Sequence, residues 1–500
     1  MQLLSALCLL GLLPASEPAR EIVPLEEYHE VAHLDGLRVG HAHTRVVRGS
    51  IPDTFHTTST LVLDVKRYGS IVRLQMSQST LEDRAGSVLA LSFRQGSQGG
   101  RPHAVSGKRE GNTLILRNEQ TKAERRLPCS DAVLGLRQQE KLLASQELDR
   151  LNGLRFSRYE PLYNAVVSVR VQVREPELVD VLGQKQLLRR VELRPEPLQA
   201  GTQHIVPAAS IVWLDSDRVP VRRQIELDGL GTLILTRTNR SQATAVVQPS
   251  ADLGSRSLIP LNRTIQQPYT TRSALYRIRV SQGQSPYGLL CSDAHQQVRR
   301  IEGQQFELAV HPVRPGTSQA LRATEKASMS EPGAEYLANC FYIDHENERI
   351  VELARQAVGR QQDSWRKALL IERFVKNRLR NDNQIDLMPA SQIARELRGD
   401  CRHHALLVTA LCRAAGIPAR TALGLLYVQR GGPHLGFHLW AEVFVDGTWV
   451  GLDSTLGLGG VSATHLKIND SSWQGVTSLL PLHAATRILR QLHVEVLNCS

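Results

Sequence analysis

The chain has 500 residues, 60 Lys and Arg against 49 Asp and Glu, a formal net charge of +11 and 41% hydrophobic residues. That length and composition support real cores over roughly two to four domains and exclude a disordered chain. Aromatic residues make up only 5%, and the densest basic features are isolated pairs such as Arg125-Arg126, Arg189-Arg190, Arg222-Arg223 and Arg299-Arg300, so there is no basic stripe or stacking platform for nucleic acid. The positive excess suits a solvated surface, with an anionic envelope polymer as a candidate partner.

The first element, residues 1–19, reads as a signal peptide. Leu3 to Leu13 is mainly apolar and ends at Pro14-Ala15-Ser16, although no Lys or Arg precedes it. It is too short to span a bilayer and suits a signal core, and no other stretch is apolar enough to span. The expectation is a secreted or periplasmic, bacterial-type protein that does not cross the membrane. Cys8 lies in the apolar run, leaving Cys129, Cys291, Cys340, Cys401, Cys412 and Cys499, too few in so long a chain for a disulfide scaffold.

Residues 20–250 read as a β-rich domain. Thr60–Val65, Ser70–Leu74, Ser87–Phe93 and Asn112–Leu116 are short, aliphatic and β-branched, with turn residues between them. Glu27 to His41 reads as a hairpin turned at Asp35-Gly36. A helical patch follows near Asp131 to Leu151, and strands resume at Ala165–Val173, Ser210–Leu214 and Thr232–Leu235. The expected architecture is a curved antiparallel sheet or half-barrel, serving as a platform or as a binder of an apolar or polymeric ligand. Residues 251–320 form a small β segment and residues 321–340 a linker. Asp344 is expected to cap a helix ending at Gly359, and Asp363-Ser364 to cap another from Trp365 to Leu379.

The chemistry concentrates in residues 341–475, before a C-terminal extension over 476–500. Ala405 to Cys412 is too apolar for an exposed element and is closed by Gly416 and Pro418, so Cys401 falls in the first turn of a buried helix. There the unpaired N–H groups and the helix dipole favour a thiolate. Thr421–Val428 reads as a strand, and Gly436–Val445 with Thr448–Thr455 as a hairpin turned at Asp446-Gly447. If Val445 pairs with Thr448, His438 lies opposite Thr455 and Trp440 opposite Asp453. His438 and Asp453 are then diagonal neighbours about 7–8 Å apart on one face, within side-chain reach. A cysteine, a histidine and a carboxylate in that relation are a nucleophile, its base and the base's orienter.

Gly399-Asp400-Cys401, the helix ending Leu411-Cys412-Arg413-Ala414-Ala415-Gly416-Ile417-Pro418, the His438–Glu442 strand and the Trp449–Asp453 strand resemble the transglutaminase-like superfamily of papain-type folds. The resemblance implies a Cys401-His438-Asp453 triad in an α+β domain following the β-rich region, and cysteine-dependent acyl transfer on a peptide or protein substrate. Peptidase or amidase activity is the first expectation. Protein cross-linking, and a non-catalytic binding protein that keeps the fold, are the alternatives. Trp440 is expected to shield the ion pair, Glu442 to lie on the same face or to pair with an arginine, and His404 to pack behind the nucleophile. Arg402 and His403 depart from the small or acidic residues of close relatives. Adjacent histidines on a helix point about 100° apart and no Cys-x-x-Cys pair is present, so neither a metal site nor a cofactor is expected.

Overall fold

The computed structural model describes residues 23–315, 331–474, 488 and 491–500, less residues 68, 98–102, 120–121, 123, 130–131, 145–147, 201–202, 228–230, 247, 251, 282–287 and 383–386. The expected signal peptide and the first half of the expected linker lie outside the described residues.

Residues 26–238 build one fourteen-stranded antiparallel sheet, the curved sheet the alternating segments lead one to expect. Its middle is the pairing of Glu26–Leu34 with Gly231–Thr238, in the register His29 to Thr238. From there the strands meander outward, one flank ending at Glu124–Pro128 and the other at Arg155–Glu160. The Asp35-Gly36 turn has φ of 47° and 78°, the positive pair that a two-residue hairpin requires. The segment joining the two flanks stitches them: Val88 N donates to Val133 O, and Leu134 N donates to Ser157 O.

The helix Leu136–Leu143 follows and lacks a side-chain cap of its own. Its orphan N–H groups are satisfied from the sheet instead, Leu136 N by Thr80 Oγ1 and Arg137 N and Gln138 N by Glu82. Helix and sheet bound a cavity of about 370 Å³ lined by Ala42, Leu61, Met76, Phe93, Val212 and Leu235, with Tyr28, Glu30, Glu140 and Arg223 in its wall. Arg223 is paired with Glu30 and Glu140, Arg237 with Glu140, Arg137 with Glu26 and Arg158 with Glu160, so these charges cancel in place.

The C-terminal half is layered. Helices Glu348–Val358, Ser364–Arg378, Ala390–Glu396 and Cys401–Ala414 bury Ile350, Leu353, Ile371, Val375, Leu407 and Leu411 against Val443 and Val450 of a five-stranded sheet. That sheet runs Ile259–Pro260, Pro433–Val445, Ala419–Gln429, His465–Ser471, with Thr448–Leu452 beside Pro433–Val445. Its other face packs Leu425, Tyr427 and Leu466 on Tyr276, Ile278 and Val494 of a four-stranded sheet. The latter sheet combines Ala274–Val280, Gln296–Glu302 and Gln305–Val310 with Leu492–Cys499. Segments that the sequence suggests are separate, 251–320 and 476–500, thus contribute strands to one sheet and share a core with the cysteine domain.

Capping also differs from expectation at one place. Asn347, not Asp344, caps the helix that ends at Gly359, by accepting from Arg349 N. Asp344 Oδ1 accepts from Ser391 N instead, which ties the first described turn of the domain to the helix before Cys401. Asp363 caps Ser364–Arg378 as expected.

Candidate active site

Cys401 is the first residue of its helix, and the turn that presents it is built by its neighbours. Asp400 accepts from Arg402 N at 3.0 Å while the His403 ring accepts from Asp400 N at 3.1 Å, a reciprocal cap. The Arg402 guanidinium bonds both Asp400 oxygens at 3.0 Å. Burial works against the Asp400 charge, but the Arg402 guanidinium holds its carboxyl well below the usual range. A Cβ on Gly399 would come within 2.4 Å of His403 Cβ and Cγ, so the close approach of the chain to the capping ring requires glycine. Arg402 and His403, which the resemblance set apart, are thereby parts of the cap. Asp400→Ala is expected to cost about 1–2 kcal/mol, the loss of a strong N-cap, read as a lower unfolding midpoint.

Asp446 and Gly447 have φ of 50° and 75°, and Val445 pairs with Thr448, which fixes the register that brings His438 and Asp453 together. The ladder ends at Leu452, three residues short of the expected strand end, so the expected pairings of His438 with Thr455 and Trp440 with Asp453 do not form, and Asp453 opens a turn closed by Leu456 N and Gly457 N on its carbonyl. His438 Nε2 lies 2.8 Å from Asp453 Oδ2, and Thr455 Oγ1 lies 3.4 Å from the same nitrogen. With Nε2 so engaged, Nδ1 is the ring nitrogen left for Cys401. Burial disfavours a charged ring, but Asp453 and Cys401 outweigh it and push the His438 pKa up to about 10. Asp453 is held well below the carboxylate range despite complete burial, by His438 and then His465. The arrangement stores a proton on His438 beside a thiol at the positive end of a helix.

Three further groups fix Asp453. Thr455 donates to Oδ1 through its N–H at 2.9 Å and its hydroxyl at 2.6 Å. Buried Glu372 accepts from Asp453 N at 3.1 Å, Gly459 N at 2.9 Å and Gly460 N at 3.3 Å, which moors the turn and the glycine loop to the preceding helix. Burial pushes the Glu372 carboxyl up to about 7. His465 Nε2 lies 3.2 Å from Asp453 Oδ2. Sequence reasoning missed Glu372 and His465. The signal for Glu372 was a carboxylate on the apolar stripe Ala368, Ile371, Val375 of its helix; for His465 there was none, because the strand His465–Ser471 was not legible.

Of the supporting residues, Trp440 is buried against Ala422 and Val461. Its ring stacks 6.4 Å from His438 and meets His465 edge-on at 5.3 Å, a position that keeps water from the imidazole. His404 Nδ1 bonds Ser454 Oγ at 3.0 Å, and burial lowers its pKa to about 4, so it is a neutral packing group behind the cysteine. Glu442 accepts from Arg420 Nε and Lys467 Nζ, both at 2.8 Å. Lys467 is fully buried and also meets Asp293 and Asp470, and Glu442 and Asp293 keep it charged in spite of burial. Lys467→Met would strand these carboxylates and is expected to destabilise the domain by about 3–5 kcal/mol, measurable by denaturant unfolding.

Among the described residues, the histidines near Cys401 do not converge on it as a metal cluster: His403 turns to Asp400, His404 to Ser454 and His434 to Gly432 O. His438, Asp453 and His465 do place their ligand atoms within 4.8 Å of one another, but Asp453 Oδ2 already serves both rings. Glu27, His29 and His43 form a second such group on the β-rich domain. There Glu27 is already bonded to His43 at 2.7 Å and faces Arg45 across the hairpin, while His29, stacked on the His43 ring, keeps a buried Nδ1 without a hydrogen-bond partner.

Comparison with solved structures finds a candidate cysteine protease from Cytophaga hutchinsonii, 15% identical over 46% of this chain and 85% of that one, with a TM-score of 0.28. A β-barrel-like protein of a domain of unknown function from Brucella abortus is 15% identical over 44% and 97%, with a TM-score of 0.33. A candidate protease from Parabacteroides distasonis is 12% identical over 82% and 70%, with a TM-score of 0.19. No curated protein matches the sequence. Residues 351–454 match the family model of the transglutaminase-like superfamily, and they span the elements that carry Cys401, His438 and Asp453: this part of the chain is a transglutaminase-like domain.

Proposed function

We propose that the protein is a cysteine-dependent acyl-transfer enzyme exported to a periplasmic or extracellular space, with Cys401 as nucleophile, His438 as general base and acid, and Asp453 as orienter. The observation that carries this reading is the 2.8 Å bond from His438 to buried Asp453, on a ring whose pKa Cys401, first residue of its helix, helps to raise. Cys401 Sγ attacks the carbonyl carbon of a peptide or carboxamide, and the carbonyl π pair moves onto oxygen. Collapse of this intermediate breaks the C–N bond, and His438 passes the proton it holds to the departing amine. Asp453 keeps the ring in the tautomer this requires. Water, deprotonated by His438, then adds to the thioester carbonyl, and collapse breaks the C–S bond, releases the carboxylic acid and regenerates the thiolate with its proton stored on His438.

Peptidase or amidase activity is favoured over cross-linking. The test is paired: release of new amino termini from a denatured protein, against incorporation of a fluorescent primary amine into the same protein. New termini without amine incorporation support hydrolysis, and the reverse identifies a cross-linker. A second reading concerns the β-rich domain. The cavity of about 370 Å³ has apolar walls and charges that cancel in pairs, which suits an uncharged, hydrocarbon-rich ligand. Titration with an apolar fluorescent probe, with Ala42→Trp as the filled-cavity control, tests it; equal binding by both would place the probe elsewhere.

A further inference from the structure

His465 is a second histidine on the carboxylate that orients His438, and its ring has its proton placed by its surroundings. Nδ1 faces the backbone N–H of Ser462 at 3.1 Å. A backbone N–H only donates, so Nδ1 accepts and the ring proton sits on Nε2, which points at Asp453 Oδ2 from 3.2 Å. Ser462 Oγ, 3.2 Å from Nδ1, can donate to the same acceptor. The ring is fully buried, boxed by the Trp440 ring at 5.3 Å and the His438 ring at 5.9 Å. Its own carbonyl bonds His295 Nε2 at 2.7 Å. Asp453 Oδ2 therefore accepts two ring N–H groups, one from His438 and one from His465.

The geometry points to His465 as a positioning residue that draws charge from Asp453 and so sets how tightly His438 holds its proton. This inference rests on the Cys401–His438–Asp453 reading. A carboxylate that faced His438 alone would bind the imidazolium more strongly and make it a poorer acid toward a leaving amine. A carboxylate with a second, permanently neutral donor stays ionised and fixed in place, yet pulls less on the proton. The remaining groups around the pair leave that balance to His465. His404 from the cysteine helix and His295 behind His465 are both held neutral by burial. Glu372 binds backbone N–H groups of the turn, and Thr455 bonds the other oxygen.

The test uses the full-length mature protein with ¹⁵N-labelled histidine, and NMR titration of the His438 ring in wild type, His465→Phe and His465→Gln. Phe removes the donor and Gln retains an N–H. In His465→Phe the His438 midpoint is expected to rise by about half a pH unit or more, with about a tenfold fall in kcat/KM; in His465→Gln it should stay within about 0.2 unit of wild type. A merely structural role would lower the midpoint by admitting water, or leave it unmoved, and either result in folded protein overturns the inference. If Phe does not fold, the smaller His465→Leu takes its place. The wild-type spectrum supplies an independent check: a His465 ring protonated at Nδ1 would also overturn it. Failure of the triad reading is distinguishable, because it would appear as loss of selective Cys401 labelling in wild type whatever the His438 midpoint does.

Discussion

Asp453→Asn is expected to lower kcat/KM on the order of 10³-fold or more. Asp453 accepts two ring N–H groups on Oδ2 and two Thr455 donors on Oδ1. An asparagine cannot accept on both sides. Turned one way, its NH₂ opposes Thr455; turned the other, it faces His438 and favours the tautomer with the proton on the Cys401 side, where the base should be free. The stored proton is lost as well. His438 is raised from an ordinary 6.5 to about 10, so its ion pair contributes stability that is fully present below about pH 6.5 and disappears as pH rises through about 10. Asp453→Asn should therefore flatten this alkaline fall in stability while it removes turnover. Steady-state kinetics and unfolding midpoints between pH 6 and 10 check both effects. Unchanged turnover would mean that Asp453 is not the orienter.

The second large effect is assigned to Glu372. Glu372→Ala leaves the N–H groups of Asp453, Gly459 and Gly460 without their shared acceptor. At about 1–3 kcal/mol for each buried unsatisfied group, the domain should lose at least about 3 kcal/mol of stability and its hold on Asp453. The pH dependence has a definite sign. The carboxyl is raised from 4.5 to about 7 in the fold, so its contribution is fully present below about pH 4.5 and falls as pH rises through about 7, by roughly 3 kcal/mol at 1.36 kcal/mol per unit. Glu372→Gln, which cannot ionise, should remove that slope. Thermal midpoints at pH 5 and pH 8 decide the matter, and a wild-type slope retained in the Gln variant would assign it to another group.

What the sequence disclosed and what it hid differ for a physical reason. The hairpin at Asp446-Gly447 was legible because a two-residue turn with positive φ fixes strand register by itself, and that register carries the chain to Leu452, from which Asp453 turns to meet His438. Nine of the fourteen strands from Glu26 to Thr238 were legible from short aliphatic and β-branched runs between turn residues, and the sheet with them; His103–Glu110, Glu124–Pro128, Arg155–Glu160, Gln184–Pro195 and Pro220–Leu227, richer in charged and polar residues, were not. Partners far apart in sequence left no such trace. Glu372 lies 81 residues before the Asp453 amide it binds, Lys467 bonds Asp293 across 174 residues, and the last strand pairs with Ala274–Val280. These depend on tertiary packing, in which a buried carboxylate or lysine looks, in sequence, like any residue of a solvated face. His465 was hidden further by its place after the glycine loop from Gly457 to Gly460, where no local pattern announces a strand.

The account stands on a single reactive thiolate, and intact mass after brief treatment with iodoacetamide in mildly acidic buffer tests it most directly. Burial raises the Cys412, Cys291 and Cys340 thiols, so these should remain unmodified on that timescale while Cys401 reacts. The predicted result is one adduct, formed rapidly in wild type and absent from Cys401→Ala. Slow labelling spread over several cysteines, or a single fast adduct that persists in Cys401→Ala, would contradict it.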